Sequence, residues 1–190
     1  MSIDKEELYA QRLNRYVTAM RNGKPDRIPI RPFAAEFTAS HAGYTCQEVT
    51  HDYNKAFDAV LSCCADYDWD AVVPNMVYVW TGLTQAAGLR YYAIPGIDVG
   101  PDVGFQYREP PQGDAYMKRE EYDELIDDPV RFLYDVWLPR ISAEASPRGA
   151  PATMRHNLAL VKSAWAMASY FNAFGPQVEK MRRQTGTVSA

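Results

Sequence analysis

The chain has 190 residues, enough for one sizeable hydrophobic core. Its 47% hydrophobic and 23% charged content is that of an ordinary folded domain rather than a disordered or fibrous chain. A net charge of −4 with scattered basic residues gives no electrostatic reason for nucleic acid or an anionic membrane as partner. No apolar run approaches the roughly 18 residues that a membrane span requires. The N-terminal residues are charged and lack the apolar stretch of a signal peptide. Three cysteines, two of them adjacent at Cys63 and Cys64, form no disulfide framework and point to a reducing cytoplasm.

Ser2 or Asp4 is placed to cap a first helix, with Glu6 and Glu7 in its opening turn. Leu8, Leu13, Tyr16, Val17 and Met20 recur at helical spacing, and Gly23 with Pro25 ends the run. Residues 28–33 (IPIRPF) read as a short strand whose two prolines permit few ladder bonds. A polar loop carrying Glu36, His41 and Cys46 follows. Residues 52–67 form the next helix, with Phe57, Val60, Leu61 and Cys64 on its apolar face.

Residues 70–75 (DAVVPN) suit a buried parallel strand. A helical turn is expected over 81–88 and a further strand over 89–94, closed by Pro95 and Gly96. The segment 96–113 is rich in glycine and proline and reads as loop feeding an extended run at 105–108. Helical patterns resume over 118–126 and again from Asp128 and Pro129 to about Ala145. A linker at 146–151 precedes a long helix from Thr153 to about Gln184, with a possible bend at Gly175 and Pro176. Its aromatic residues, Trp165, Tyr170, Phe171 and Phe174, repeat at helical spacing and predict a face buried within this chain or against a partner. Three stretches result: an N-terminal helix (1–24), first βα units with loops (25–113) and a helical part (114–190), all within one domain.

The alternation of strand and helix is that of an α/β fold, either a βα barrel or an open sheet. A closed eight-stranded barrel needs about 250 residues, so the barrel reading makes this chain the N-terminal portion of one.

Several segments together resemble the uroporphyrinogen decarboxylase superfamily: residues 23–29 (GKPDRIP), 42–45 (AGYT), 70–74 (DAVVP) and 121–129 (EYDELIDDP). The resemblance implies a (β/α)8 TIM-type barrel with extra N-terminal helices. It also implies either tetrapyrrole decarboxylation or corrinoid-dependent methyl transfer to a thiol or related carrier. In the decarboxylases two arginines flank the Ala-Gly pair and grip substrate carboxylates; the matching positions here are Ser40 and Tyr44. The aspartate that stabilises the pyrrole cation in those enzymes falls near Val77, beside Asn75 and Met76. Both departures argue against tetrapyrrole chemistry. The methyltransferase branch uses zinc to generate a thiolate that attacks a cobalt-bound methyl group. Its His-x-Cys ligand motif does not occur in this sequence.

Glu36, three residues beyond the first strand, is a candidate general base or substrate anchor at a barrel's C-terminal rim, or else a solvated loop carboxylate. His41 and Tyr44 are expected at the pocket mouth. Asn75, Tyr78 and Trp80 follow the second strand and would line the pocket of a flat ligand, or pack beneath a loop. His41, Cys46 and His51, five residues apart, do not match a common zinc spacing, and no metal ligand is assigned. Cys63 and Cys64 are expected to pack in the core. The glycines at 96, 100 and 104 lack the Gly-Lys-Ser/Thr ending of a phosphate loop.

Three functions therefore stand. One is the N-terminal half-barrel of a corrinoid-linked methyltransferase, acting on a small-molecule or corrinoid-protein substrate, with zinc and corrinoid implied by the family but no ligands for them here. A second is a decarboxylase of another acid, with Arg31 or Arg90 replacing the missing arginines. The third is a shortened, non-catalytic binding or assembly protein. A half-barrel exposes a strand edge and an apolar flank, so a homodimer or a chain supplying the missing half is the expected partner.

Overall fold

The computed structural model describes residues 4–74, 77–145, 149–151 and 153–189, and for residues 77–80 the backbone only. Helix α1 (Lys5–Met20) starts at Asp4, whose carboxylate accepts the Glu6 amide. It ends where Asn22 takes a left-handed conformation (φ 58°) and the Gly23 amide returns to Thr18 O at 2.8 Å. Asparagine tolerates that region because its short polar side chain compensates locally. The chain then runs extended through residues 30–34 beside β1 (Ala71–Val72).

The amides of Asp70 and Ala71 both donate to Ile30 O, Val73 donates to Pro32 O, and Ala34 donates back to Val73 O, at 3.0–3.1 Å. Phe33 and Val73 form a parallel bridge. Pro29 and Pro32 have no amide to donate, so this first strand contributes mainly acceptors, as its composition predicts. On the other side of β1 lies β4 (Val188–Ser189), also parallel, with Ala71 opposite Val188 and Val72 opposite Ser189. The parallel set is therefore 30–34, β1, β4 in that order.

The first crossover holds three helices: α2 (Phe37–Ala42), α3 (Cys46–His51) and α4 (Tyr53–Asp66). A capping box opens α3: Glu48 N donates to the Thr45 hydroxyl at 3.1 Å and Thr45 N to Glu48 Oε2 at 2.9 Å. Asp52 caps α4, accepting from Asn54 N at 2.9 Å. Phe57, Val60 and Cys64 are buried, as the predicted apolar face requires. After β1 come α5 (Val77–Ala87) and a long excursion. The second crossover ends in α9 (Met154–Thr185), a 32-residue helix that contains Pro176 and is closed by Gly186 at φ 66°. Phe57 of α4 stacks on Tyr170 of α9 (ring centroids 6.0 Å apart), and Phe174 packs alongside. This cluster and a second one around Val60, Cys64, Val72 and Met181 join both crossover helices to the sheet.

The excursion departs from the strand–helix alternation. Residues 89–94 do not join the parallel set. β2 (Tyr92–Ala93) pairs antiparallel with β3 (Gln106–Tyr107), and Leu89 bridges antiparallel to Ser142. The glycines and prolines between β2 and β3 cannot build the crossover helix a parallel return needs, so the chain folds straight back. Three helical pieces follow: α6 (Tyr122–Asp127), α7 (Pro129–Phe132) and α8 (Leu138–Ile141), the last two joined by a π-helical turn at Leu133–Trp137. The described residues are thus mostly helical with two small sheets and form no closed barrel. Among them no helix is long and apolar enough to cross a membrane.

A polar cluster seals the N-terminal ends of the parallel strands. The Asp70 side chain is fully buried. Arg15 and Arg27 both donate to its Oδ1, Arg27 at 3.0 Å, and the Ile30 amide donates to Oδ2 at 2.9 Å. Arg15 also grips Asp26 with two hydrogen bonds, and this holds the Asp26 carboxyl down at about 2. Arg12, itself buried, bridges Asp68, Thr185 O and the Thr187 hydroxyl.

Candidate functional site

The opposite ends of the strands carry the segment nominated by the sequence. Glu36 stands immediately before α2 but does not cap it. Its Oε1 instead accepts the Phe105 amide at 2.6 Å, reaching across to the Gly/Pro loop between β2 and β3. That loop is tied down at two further points. The Gln47 amide donates to Pro101 O at 2.8 Å, and the Cys46 thiol donates to Asp102 O at 3.4 Å. Gly96 (φ 76°) lies against the Gln47 side chain, leaving no room for a β-carbon unless that side chain moves. Glu36 is therefore an anchor for a strap of main chain, with Oε2 free of protein donors among the described residues. Burial first, then the neighbouring carboxylates of Glu36 and Asp102, push the Cys46 thiol upward. It is a protonated packing group at neutral pH rather than a nucleophile.

Replacing Glu36 with Ala should release the strap. The Phe105 amide is expected to exchange with deuterium at least about 10-fold faster, as the loss of a charge-assisted hydrogen bond implies. Unchanged exchange would show that the loop is held without Glu36.

His41 and Tyr44 have partners of their own away from Glu36. His41 lies between α2 and the end of α4, with Nε2 2.8 Å from Asp66 Oδ2 and its ring 5.2 Å from that of Tyr67. Tyr44 packs on the Phe57–Tyr170 cluster, with Lys55 Nζ 5.5 Å from its ring centroid. The six-residue α2 ends at Gly43, which turns these two side chains onto the α4 layer instead of the strand ends. His51 Nδ1 lies 2.8 Å from Gln47 O. His41, Cys46 and His51 thus have separate partners, and among the described residues no group of three His, Cys, Asp or Glu is arranged to hold a metal ion. The zinc implied by the family resemblance does not fit these side chains. Asn75 lies outside the described residues. Tyr78 and Trp80 lie on α5, where only the backbone is described. Cys63 and Cys64 are buried in α4, their thiols raised by burial to about 11 and about 12.

A second concavity, not nominated by the sequence, opens between the β2–β3 ribbon and the 109–140 segment. Its larger part is a trough of about 580 Å³ lined by Arg90, Arg108, Lys118 and Arg140 together with Glu109 and Asp114. It adjoins a cup of about 210 Å³ walled by Tyr91, Tyr107, Tyr116 and Trp137. The rings of Tyr116 and Trp137 each lie 6.3 Å from that of Tyr91. The signal for this site was present as aromatic density on both flanks of the Gly/Pro loop. Arg90, weighed as a substitute carboxylate grip, lines this trough, whereas Arg31 lies 5.9 Å from the Tyr16 ring, against α1.

The trough floor is fixed by Arg140, which donates to Glu121 through both terminal nitrogens at 2.8 and 2.6 Å and to Tyr116 O at 3.1 Å. The Arg140 hydrogen bonds hold the Glu121 carboxyl at about 2. A carboxyl depressed on folding stabilises above its unfolded value, near 4.3, and loses that contribution as pH falls through the folded value. Acidification is therefore expected to leave the clamp closed until the pH nears about 2. The Glu121 carboxyl carbon shift, followed by NMR, checks this; titration near pH 4.3 would show the clamp open in solution.

No protein-family model matches this chain, and no match is found among the curated proteins or the solved structures.

Proposed function

We propose that the chain is the N-terminal portion of a uroporphyrinogen-decarboxylase-like (β/α)8 barrel serving corrinoid-linked methyl transfer in the cytoplasm. The observation that carries this reading is the parallel order 30–34, β1, β4, with a helical crossover between successive strands. Such a progression is the start of a βα barrel, and also of one flank of an open sheet. The sidedness agrees with the barrel: a structural polar cluster at the N-terminal strand ends, and loops with Glu36 at the C-terminal ends, where barrels carry their chemistry. The methyl-transfer assignment rests on the sequence resemblance and on the absence of arginines at positions 40 and 44.

The partner is a second barrel half or a second copy. The outer face of α9 displays Met154 (74% exposed), Leu158, Val161 and Trp165 (73%), and one flank displays Leu160 (72%), Met167 and Phe171. A contiguous apolar stripe of this kind marks a surface for a partner. Zinc for thiol activation would come with a second barrel half and not with a second copy, since the described residues of this chain do not assemble a site for it.

The test is purification from the native source, with molar mass, zinc and corrinoid measured together and methyl transfer from methylcobalamin to a thiol assayed on the same sample. A zinc-containing assembly larger than this chain that demethylates methylcobalamin supports the proposal. A metal-free homodimer with cooperative unfolding and no transfer would overturn it in favour of a binding or assembly protein, the reading that the apolar face of α9 favours by itself.

A further inference from the structure

The trough and the cup are one cleft, because Arg108, Glu109, Pro110 and Tyr116 line both. Their chemistry differs. The cup is aromatic on three sides, and its volume of about 210 Å³ exceeds the roughly 150 Å³ that holds benzene. One six-membered ring with a short substituent fits.

The trough is ionic, and its charges sort into two sets. Arg140 is matched by Glu121, and Arg108 by Asp98 at 2.5 Å. Arg90 has one side-chain contact, to Arg140 O at 3.4 Å, and no carboxylate partner among the described residues, whereas the Lys118 charge helps hold the neighbouring Glu121 carboxyl down. Glu109 and Asp114, on the same lining, likewise have no cationic partner among the described residues. A cleft offering one spare cation, Arg90, and two spare carboxylates beside an aromatic cup disfavours polyanions such as phosphates. It complements a ligand that carries both signs.

We propose that this cleft binds a small aromatic zwitterion, of the chemical class of the aromatic α-amino acids. The ring enters the cup and rests against the wall formed by Tyr91, Tyr107, Tyr116 and Trp137. The carboxylate meets Arg90 and Lys118, and the ammonium meets Glu109 and Asp114. The methyl-transfer reading is not needed for this, and no covalent step is involved.

The experiment is calorimetric titration of the full chain with L-phenylalanine, 3-phenylpropionate and phenethylamine. These ligands share the ring and carry both charges, only the carboxylate, or only the ammonium. Phenylalanine is expected to bind at least about 10-fold more tightly than either analogue, the size expected for one lost charged hydrogen bond. Arg90→Gln combined with Lys118→Gln changes two exposed side chains outside the core. The pair is expected to reduce phenylalanine binding to the level of phenethylamine while leaving phenethylamine unchanged. Glu109→Gln combined with Asp114→Asn should reduce phenylalanine to the level of 3-phenylpropionate. Equal binding of all three ligands would mean that only the cup is used and would overturn the proposal. So would the absence of saturable binding of phenylalanine up to millimolar concentration, or tighter binding of inorganic pyrophosphate than of phenylalanine.

Discussion

Replacing Asp70 with Ala is expected to destabilise the protein by about 3–5 kcal/mol, the usual cost of removing one partner from a buried ionic cluster. The carboxylate has no exposure to solvent and serves three donors from two different segments. Its loss leaves the Ile30 amide without its acceptor and Arg15, whose side chain is only 11% exposed, half paired beside the strand ends. Arg15 retains Asp26 and Arg27 retains Asp68, which places the cost toward the lower end of the range. Urea denaturation of the two proteins measures it directly, and a change below about 1 kcal/mol would show that the cluster is solvated in solution. Asp70→Asn keeps the volume and one acceptor but loses the charge. It should fall between the wild type and the alanine variant.

Phe57→Ala is the second large effect, expected to cost about 3–5 kcal/mol. The ring is buried against Tyr170 and Phe174, so truncation opens a cavity between α4 and α9. α9 leads directly into β4, and its position relative to α4 sets the register of β4 on β1. The variant should therefore lose near-ultraviolet circular dichroism from Tyr170 as well as stability. Phe57→Leu, which fills most of the space, should recover the larger share. If both variants were equally damaging, aromatic stacking rather than volume would be the important contribution.

The long helices were legible because their periodic faces are what the core buries. Phe57, Val60 and Cys64 are inside α4, and Tyr170 is inside α9. The late aromatic helix divides, however: Tyr170 and Phe174 face α4, while Trp165 and Phe171 look outward, where this chain has nothing to cover them among the described residues. The two-residue strands were harder. β4 has no period to detect, and its only partner lies beyond the whole second crossover. Of the strand expected over residues 89–94 only Tyr92–Ala93 is formed, and a sequence pattern does not encode the direction of pairing. That was decided by the short Gly/Pro return to Gln106 and Tyr107.

The candidate site was legible at one residue. Glu36 is at the strand exits and engaged, but with a backbone amide of this chain. His41 and Tyr44 follow so closely in sequence that their shared loop suggested a shared pocket. The Gly43 turn at the end of α2 directs them onto α4 instead. The cleft was marked in the sequence only by the aromatic residues flanking the Gly/Pro loop, because its lining comes from three separated stretches, 90–91, 107–118 and 137–140, and no local spacing joins their charges.

The reach of Arg12 has a kinetic meaning. Its guanidinium on α1 holds Thr185 O at 2.9 Å across a separation of 173 residues. Asp68, which neutralises it, lies 56 residues along the chain, whereas the Thr185 carbonyl and Thr187 hydroxyl that complete its burial lie 173 and 175 residues away. Closing so long a loop carries an entropy cost, which the shorter closures from Arg15 to Asp26 and from Arg12 to Asp68 reduce. Docking of α9 against α1 is therefore the long-range closure that completes the burial of Arg12.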